Sequence, residues 1–315
     1  MQKDLFYAGK STGTGLFENE AGIMHMKRNG KAAIVCCSNG LAPSLWDQVR
    51  LLQKTLEQMN MEPVFSDYLF ARDASGSSGT ARERAAALMQ FYRDPEISVI
   101  FDISGGDMAN EILPYLDFRV IAESGKRFWG YSDLTTILNS IYTKTGQSSV
   151  LYQVRNLVSS HGEKQTADFS AALMEENRDL YRFSYTFLQG DHLQGIVVGG
   201  NIRCFLKLAG TPCWPDMQDK VLLLEALGGT VPQMRTYLSQ LDQIGVFEQI
   251  RGILLGTFTK MEEGNCRPAM EELVLQHLRE KQRDIPVVKT AEIGHGTNSK
   301  AIMIGGKIIL EGGKS

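Results

Sequence analysis

The sequence predicts an α/β protein in two parts, an N-terminal domain built on a parallel sheet and a C-terminal domain of mixed α/β structure. Apolar strand-like runs alternate with helix-like segments from Lys31 to about Gln153, a pattern typical of a parallel sheet covered by helices. A chain of 315 residues, 43% of them hydrophobic, is long enough to bury two cores. The predicted divisions are a disordered or tag-like extension at 1–30, the N-terminal α/β domain at 31–160, a more polar linker at 161–193 and the C-terminal domain at 194–315.

The first half is predicted to alternate four strands with four helices. The strands are Ala32–Cys37, Pro63–Ser66, Ile97–Asp102 and Arg127–Gly130. The helices are Ser44–Met59, Thr80–Tyr92, Ala109–Leu116 and Asp133–Thr145. Ligands of parallel sheets bind beyond the carboxyl ends of the strands. Gly105-Gly106 and Ser132 both follow such ends, so we expect them to line one crevice.

The second half is predicted to hold strands, helices and a terminal hairpin. The strands are Gly195–Gly199, Lys220–Glu225 and Gly252–Gly256, and the helices are Val231–Gly245 and Ala269–Lys281. A hairpin at Ala301–Leu310 is expected to turn at Gly305-Gly306. Polar residues of this half would then face the crevice of the first half across a domain interface, a common place for a binding cleft.

Composition argues against several kinds of partner. A net charge of −3 gives no reason to expect nucleic acid or a membrane surface, and no apolar run approaches the length of a membrane span. The five cysteines include no C-x-x-C pair, and the N-terminus lacks a signal-peptide pattern, so we expect a cytoplasmic protein. Metal-ligand spacings and a phosphate-binding G-K-[ST] are also missing from the sequence, so we expect no metal and no cofactor. The oligomeric state is left open, a homodimer included.

The most informative motif is the apolar run Phe128–Tyr131, which ends at Ser132 and leads into a helix. A sharp turn at such a junction lifts a serine hydroxyl out of the sheet, and the helix N-terminus directs unpaired N–H groups at an oxyanion formed there. Ser132 is therefore a candidate nucleophile, although a serine at such a junction is more often a helix cap. The second glycine of G-x-S-x-G is missing, which disfavours an ordinary α/β-hydrolase.

A carboxylate and an imidazole lie far downstream, at the ends of strand-like segments. Glu225 ends the run Leu222–Glu225, and His295 lies between Gly294 and Gly296. The order nucleophile, acid, histidine is one of those found among Ser/His/carboxylate hydrolases. Each residue also has a plainer interpretation, because Glu225 can belong to a salt bridge and a loop histidine is more often solvated than catalytic.

These motifs resemble those of the LD-carboxypeptidase family of serine peptidases, which also contains the microcin-immunity peptidases. The resemblance runs from about Ala32 to the C-terminus, and its motifs are specific in their joint order and spacing rather than singly. They are Ala32–Cys36 followed by Ser38, Gly105-Gly106 leading into Leu113–Asp117, Gly130–Asp133, Gly199–Asn201, Gly210-Thr211, Glu225, Leu254–Gly256 and Gly294–Gly296.

The resemblance implies a catalytic role for five residues. Ser132 would be the nucleophile, His295 the base and Glu225 the partner that orients the base. The backbone amides of Gly106 and Asp133 would form the oxyanion hole.

Three further residues would lie where the substrate binds. They are Gly105, Asp107 and Asn201, of which Asn201 can equally cap the next helix and the glycines can form a plain turn. The chain departs from the family at two positions in this region. Asp107 stands where many members have an aromatic residue, and Ala226 stands where they have an acid.

The activity implied by the resemblance is that of a metal-free serine carboxypeptidase acting on a small peptide. It would release the terminal D-alanine of cytosolic murein tetrapeptides by cutting an L,D amide bond. One alternative is a microcin-immunity-type peptidase acting on aminoacyl-nucleotide analogues, for which Tyr181, Phe183 and Tyr185 would supply an aromatic platform. The other is a non-catalytic protein that binds muropeptides or nucleotides.

Overall fold

The computed structural model describes residues 12–17, 30–174 and 177–312. Its strands are β1 (Thr12–Phe17), β2 (Lys31–Val35), β3 (Glu62–Phe65), β4 (Ile97–Asp102), β5 (Arg127–Gly130), β6 (Ser149–Leu151), β7 (Phe183–Gln189), β8 (His192–Asn201), β9 (Lys220–Ala226), β10 (Gly252–Phe258), β11 (Val287–Lys289), β12 (Ile302–Ile304) and β13 (Lys307–Glu311). Its helices are α1 (Trp46–Gln58), α2 (Ala81–Arg93), α3 (Phe118–Ser124), α4 (Thr135–Thr145), α5 (Gly162–Met174), α6 (Ile202–Leu206), α7 (Val231–Gln243), α8 (Val246–Gln249), α9 (Thr259–Glu263) and α10 (Met270–Glu280).

Six strands form an open sheet in the spatial order β12-β6-β5-β4-β2-β3. Neighbouring strands are parallel except for β12, which runs antiparallel to β6. Strand β2 is buried at four of its five positions and β4 at five of six, as expected when helices cover both faces of a sheet. The predicted parallel-sheet α/β fold of the N-terminal half is confirmed.

The other seven strands close on one another in the order β1-β13-β8-β9-β10-β11-β7, and β7 pairs back with β1. The run from β8 to β11 is parallel, and antiparallel pairs through β13, β1 and β7 complete the ring. This mixed sheet, together with its helices, confirms the predicted fold class of the C-terminal half. Within the described ranges, we find no helix that is both long and apolar enough to cross a membrane.

The predicted terminal hairpin at 301–310 is wrong. The chain does turn at Gly305, whose φ is 82°, but the two strands join different sheets. Strand β12 pairs with β6 in the open sheet, whereas β13 pairs with β8 and β1 in the closed sheet. A glycine pair specifies that the chain can turn; it does not specify that the flanking strands pair with each other.

Two strands lie in segments for which we predicted no sheet. Strand β1 lies within the predicted extension at 1–30, of which the other residues up to 29 are outside the described ranges. Strand β7 lies within the predicted linker at 161–193, which also contains α5. These two strands pair with each other in the closed sheet, so both segments contribute to the second half of the fold. The domain boundaries themselves stay a prediction.

The two sheets are joined by contacts between α4, which follows Ser132, and β8. Asn139 Nδ2 donates to the Gly199 carbonyl at 2.9 Å, and the Gly199 amide donates to Asn139 Oδ1 at 2.8 Å. The Asn201 amide donates to Thr135 Oγ1 at 3.0 Å. Strand β8 pairs with β9 so that Asn201 lies beside Glu225. The interface therefore fixes the helix after Ser132 against the strand next to Glu225.

Candidate active site

Ser132 lies at the carboxyl end of β5 in a left-handed conformation. Its φ is 54°, and the preceding Tyr131 is extended with φ −149°. A left-handed residue with a side chain is strained, and such residues concentrate at functional sites. Ser132 is half-buried, and its hydroxyl has no hydrogen-bond partner among the described residues. It caps no helix, since the N-caps of the short 3-10 helix and of α4 are Tyr131 and Leu134.

Glu225 and His295 form a hydrogen-bonded pair in the second half of the fold. Glu225 lies near the end of β9, and His295 lies in the loop after β11. His295 Nδ1 is 2.6 Å from Glu225 Oε2, and the side chains are 5% and 1% exposed. With Nδ1 as the donor to Glu225, the neutral imidazole carries its free lone pair on Nε2. Nε2 is buried and has no partner among the described residues.

The loop that carries His295 is fixed by backbone contacts on both sides of the histidine. Gly294 has φ 142°, and a Cβ there would lie 2.0 Å from Thr257 Oγ1, so only glycine fits. Ser299 Oγ donates to the Gly294 carbonyl at 2.7 Å. Asn156 Nδ2 donates to the Gly296 carbonyl at 3.3 Å, which ties the loop to the segment after β6.

The protonation of His295 is set by two opposing influences. Burial lowers the pKa of the imidazole, but the charge of Glu225 and the hydrogen bond to it raise it by more. The pKa of His295 therefore lies above the ordinary value of 6.5. The neutral form, which can take a proton from a serine, predominates only above that raised pKa.

The residue before Ser132 contacts the histidine of this pair. The ring of Tyr131, which directly precedes Ser132, lies 5.4 Å from the ring of His295 between centroids. The hydrogen bond between Ser132 Oγ and His295 Nε2 is not formed here. Catalytic hydrogen bonds are often long in a ligand-free enzyme and shorten when substrate binds.

The paired glycines lie beside Ser132. A Cβ on Gly105 would lie 3.9 Å from Ser132 Cβ. Gly106 has φ 128°, and a Cβ there would lie 2.2 Å from Asn39 Oδ1. The backbone of this loop therefore runs beside Ser132, the candidate nucleophile.

The side chain of Asp133 connects three segments around the candidate site through hydrogen bonds. It is fully buried, and its Oδ2 accepts from Ser38 Oγ at 2.6 Å and from the Ala109 amide at 2.8 Å. Lys207, the residue after α6, reaches Oδ1 at 2.5 Å and the Asp107 carbonyl at 2.8 Å. Sequence reasoning missed Lys207, because its partner lies 74 residues away.

The predicted substrate-contacting residues have structural partners. Asp107 pairs with Arg203 of α6, and its amide donates to Asn39 Oδ1 at 2.8 Å. Asn201 is buried and caps α6, accepting from the Cys204 amide at 3.3 Å. Of the two interpretations weighed for Asn201, the cap is the one whose contact is present.

The aromatic platform considered for a nucleotide is not available. Tyr181, Phe183 and Tyr185 are 4%, 1% and 6% exposed, so their faces are packed in the core. Within the described residues we also find no cluster of three or more His, Cys, Asp or Glu side chains that could hold a metal ion. The expectation of a metal-free site stays a prediction.

Both halves of the chain match models of known domains. Residues 32–153 match the LD-carboxypeptidase N-terminal domain, and residues 194–310 match the LD-carboxypeptidase C-terminal domain. The murein tetrapeptide carboxypeptidase of Pseudomonas aeruginosa is 23% identical over 302 residues, 91% of this chain and 94% of that protein. The microcin C7 self-immunity protein MccF of Escherichia coli is 25% identical over 268 residues, 74% of this chain and 77% of that protein.

A solved structure supports the fold. The muramoyltetrapeptide carboxypeptidase of Oxalobacter formigenes superposes with a TM-score of 0.69 at 21% identity, covering 90% of this chain and 99% of that one. The two matched domains together span most of the sequence, in the order expected. The predicted resemblance is confirmed, and this chain belongs to the LD-carboxypeptidase family of serine peptidases.

Proposed function

We propose that this chain cuts the amide bond before the terminal D-alanine of a cytosolic murein tetrapeptide, with Ser132, His295 and Glu225 as its catalytic triad. The observation that carries the proposal is the buried carboxylate–imidazole pair, 2.6 Å long, whose Nε2 has no partner among the described residues. Its imidazole packs against the ring of Tyr131, which directly precedes the strained Ser132. The names of the Pseudomonas and Oxalobacter proteins point to murein peptides as the substrate class.

The residues support acyl transfer through an ester. Ser132 Oγ attacks the carbonyl carbon while His295 Nε2 takes its proton, and Glu225 stabilises the imidazolium. The amides of Gly106 and Asp133 stabilise the oxyanion, and each such donor typically contributes about 10²–10³ in rate. His295 then protonates the departing amine of D-alanine. A water molecule, deprotonated by the same imidazole, hydrolyses the acyl-serine.

The test is turnover of two substrates with detection of products by mass. The purified protein is incubated with a murein tetrapeptide and, separately, with an aminoacyl sulfamoyl adenosine, in the presence of a chelator. We expect loss of D-alanine from the tetrapeptide and no turnover by Ser132→Ala. Full hydrolysis by a clean Ser132→Ala preparation would overturn the mechanism, and activity that chelation abolishes and zinc restores would overturn the metal-free site.

The second candidate is hydrolysis of an aminoacyl-nucleotide analogue, which the similarity to MccF favours. The burial of the three aromatic residues argues against it, because a base would need another stacking surface. Cleavage of the sulfamate alone would select this activity. If either compound bound but was not turned over, and a serine-directed probe did not label Ser132, the non-catalytic protein would be selected.

A further inference from the structure

Arg155 lies at the edge of the candidate active site, on a short 3-10 helix after β6. Its Nη2 donates to the Tyr131 hydroxyl at 3.0 Å, and its Nη1 donates to Gln48 Oε1 at 3.5 Å. The next residue, Asn156, binds the Gly296 carbonyl of the histidine loop. The guanidinium is therefore placed among the nucleophile strand, α1 and the histidine loop.

Tyr131 connects Arg155 to the nucleophile. A Cβ on Gly105 would lie 3.4 Å from the Tyr131 hydroxyl and 3.9 Å from Ser132 Cβ. The hydroxyl is thus no farther from Ser132 Cβ than the sum of these two distances. Arg155 Nη2 is 3.0 Å beyond that hydroxyl and so lies within about 10 Å of Ser132 Cβ. A terminal residue of about 3.5 Å can bridge such a span when its carboxylate is hydrogen-bonded at one end and its scissile carbonyl contacts the serine at the other.

Arg155 forms no salt bridge with any carboxylate of the described residues. Its Nε is buried and has no hydrogen-bond partner among them. Other cations near the site are paired: Lys207 with Asp133 at 2.5 Å and Arg203 with Asp107. An unpaired charge that is partly removed from water is costly, so this position is suited to an anionic ligand.

We propose that Arg155 binds the free carboxylate of the substrate's terminal residue and so places the scissile amide over Ser132. The inference rests on the proposed function, because a carboxypeptidase cuts the bond next to a free terminal carboxylate. A guanidinium offers parallel N–H donors that match a carboxylate. Burial raises the pKa of Tyr131, so its hydroxyl keeps a proton that can be donated to the same carboxylate.

The test compares a tetrapeptide that ends in D-alanine with the same peptide that ends in D-alaninamide. For the wild type we expect kcat/KM to favour the acid by about 10²-fold, the size of a hydrogen-bonded charge pair. In Arg155→Met, kcat/KM for the acid should fall to the value for the amide, while kcat/KM for the amide should change by less than about threefold. Arg155→Lys should restore part of the preference, because it keeps the charge without the planar pair of donors.

Two control variants separate recognition from structure. Tyr131→Phe removes the hydroxyl to which Arg155 donates. If Arg155 acted only by positioning Tyr131, Tyr131→Phe and Arg155→Met would each lower kcat/KM by the same factor for the acid and for the amide. Arg119→Met removes an arginine on α3 that is 85% exposed and paired only with Glu123 in the described structure. This variant should leave kcat/KM unchanged for both substrates. Persistence of the full preference for the acid in Arg155→Met overturns the inference and leaves the proposed function intact.

A binding measurement keeps the inference testable if turnover fails. Wild type that cleaves neither peptide overturns the proposed function. Calorimetric titration of Ser132→Ala, with and without Arg155→Met, then compares the affinities for the two peptides. Tighter binding of the acid that disappears with Arg155→Met supports the inference, and equal affinities for acid and amide in Ser132→Ala overturn it.

Discussion

Ser132 adopts a backbone conformation that its own side chain disfavours. Its φ of 54° lies in the left-handed region, which costs a residue with a Cβ about 1–2 kcal/mol. The strain persists because β5 fixes the chain before Ser132 and α4 fixes it afterwards. The Ser132 hydroxyl has no hydrogen-bond partner among the described residues.

The strain predicts a difference between two substitutions of the nucleophile. Ser132→Gly should be more stable to unfolding than Ser132→Ala by roughly 0.5–1 kcal/mol, because glycine tolerates positive φ and only part of the gain is offset by its greater freedom when unfolded. Urea unfolding of the two inactive variants measures this difference. Equal stabilities, or a more stable alanine variant, would show that the conformation is not strained.

Glu225 predicts a pH effect with a defined sign. The carboxylate raises the pKa of His295 against the lowering effect of burial. In Glu225→Gln burial remains and the charge is lost, so the pKa falls and the acid limb of the kcat/KM profile moves to lower pH. The plateau should also fall, by up to about 10⁴-fold, as in other triads whose carboxylate becomes an amide.

A surface carboxylate provides the control for this pH profile. Glu123→Gln makes the same change in charge on α3, where Glu123 is 64% exposed, and should leave the profile unaltered. Profiles of wild type and Glu225→Gln that coincide in height and midpoint would make Glu225 a structural carboxylate.

At the scale of elements, α6, which follows β8 of the closed sheet, and the residue after it bind a loop of the open sheet. Arg203 of α6 and Lys207 just after it both reach the loop that contains Asp107. Only Lys207 also reaches the buried carboxylate of Asp133. The position of the proposed oxyanion hole therefore depends on an element from the other half of the chain.

The two cations of this segment should differ in their effect on stability. Lys207→Met leaves the buried Asp133 without its cation and should cost roughly 2–4 kcal/mol of unfolding free energy, less than for a wholly buried pair because Lys207 is 19% exposed. Arg203→Met breaks a pair that is 45% and 62% exposed and should cost less than about 1 kcal/mol. Thermal and urea unfolding decide this, and equal costs for the two variants would contradict it.

The elements that sequence patterns predicted well are those with local signals. Thr80 and Glu83 form a capping box at the start of α2, and the apolar runs of β2 and β4 are buried strands. The hairpin at 301–310 failed because strand pairing is decided by partners far along the chain. Strand β12 completes the open sheet against β6, about 150 residues away, and no local pattern specifies that choice.

At the scale of the molecule, the two halves are interlocked. Strand β12 belongs to the open sheet although it follows most of the second half, and α4 is bonded to β8. The candidate site at this junction was predictable in part. Ser132 and Glu225 lie near or just beyond the ends of apolar strands, and such a position can be recognised from the sequence. The partnership of Lys207 with Asp133 was not predictable, because it depends on how the halves dock.

Interlocking predicts a single unfolding transition. Trp129 is buried in the open sheet, and Trp214 packs on Phe205 of the second half at 4.6 Å between ring centroids. Tryptophan fluorescence and far-UV circular dichroism of the wild type should give urea transitions with the same midpoint and slope, because β12 of the second half completes the open sheet and α4 is bonded to β8. Two separate midpoints would show that the halves unfold independently.

The central claim is that a serine of one half is activated by a histidine of the other. The most direct measurement is the rate at which a fluorophosphonate labels the protein as a function of pH, with the labelled peptide identified by mass. We expect the label on Ser132, a rate that rises with pH through the raised pKa of His295, and a fall of about 10²–10⁴-fold in His295→Gln. Labelling at another residue, or an unchanged rate in His295→Gln, would contradict the account.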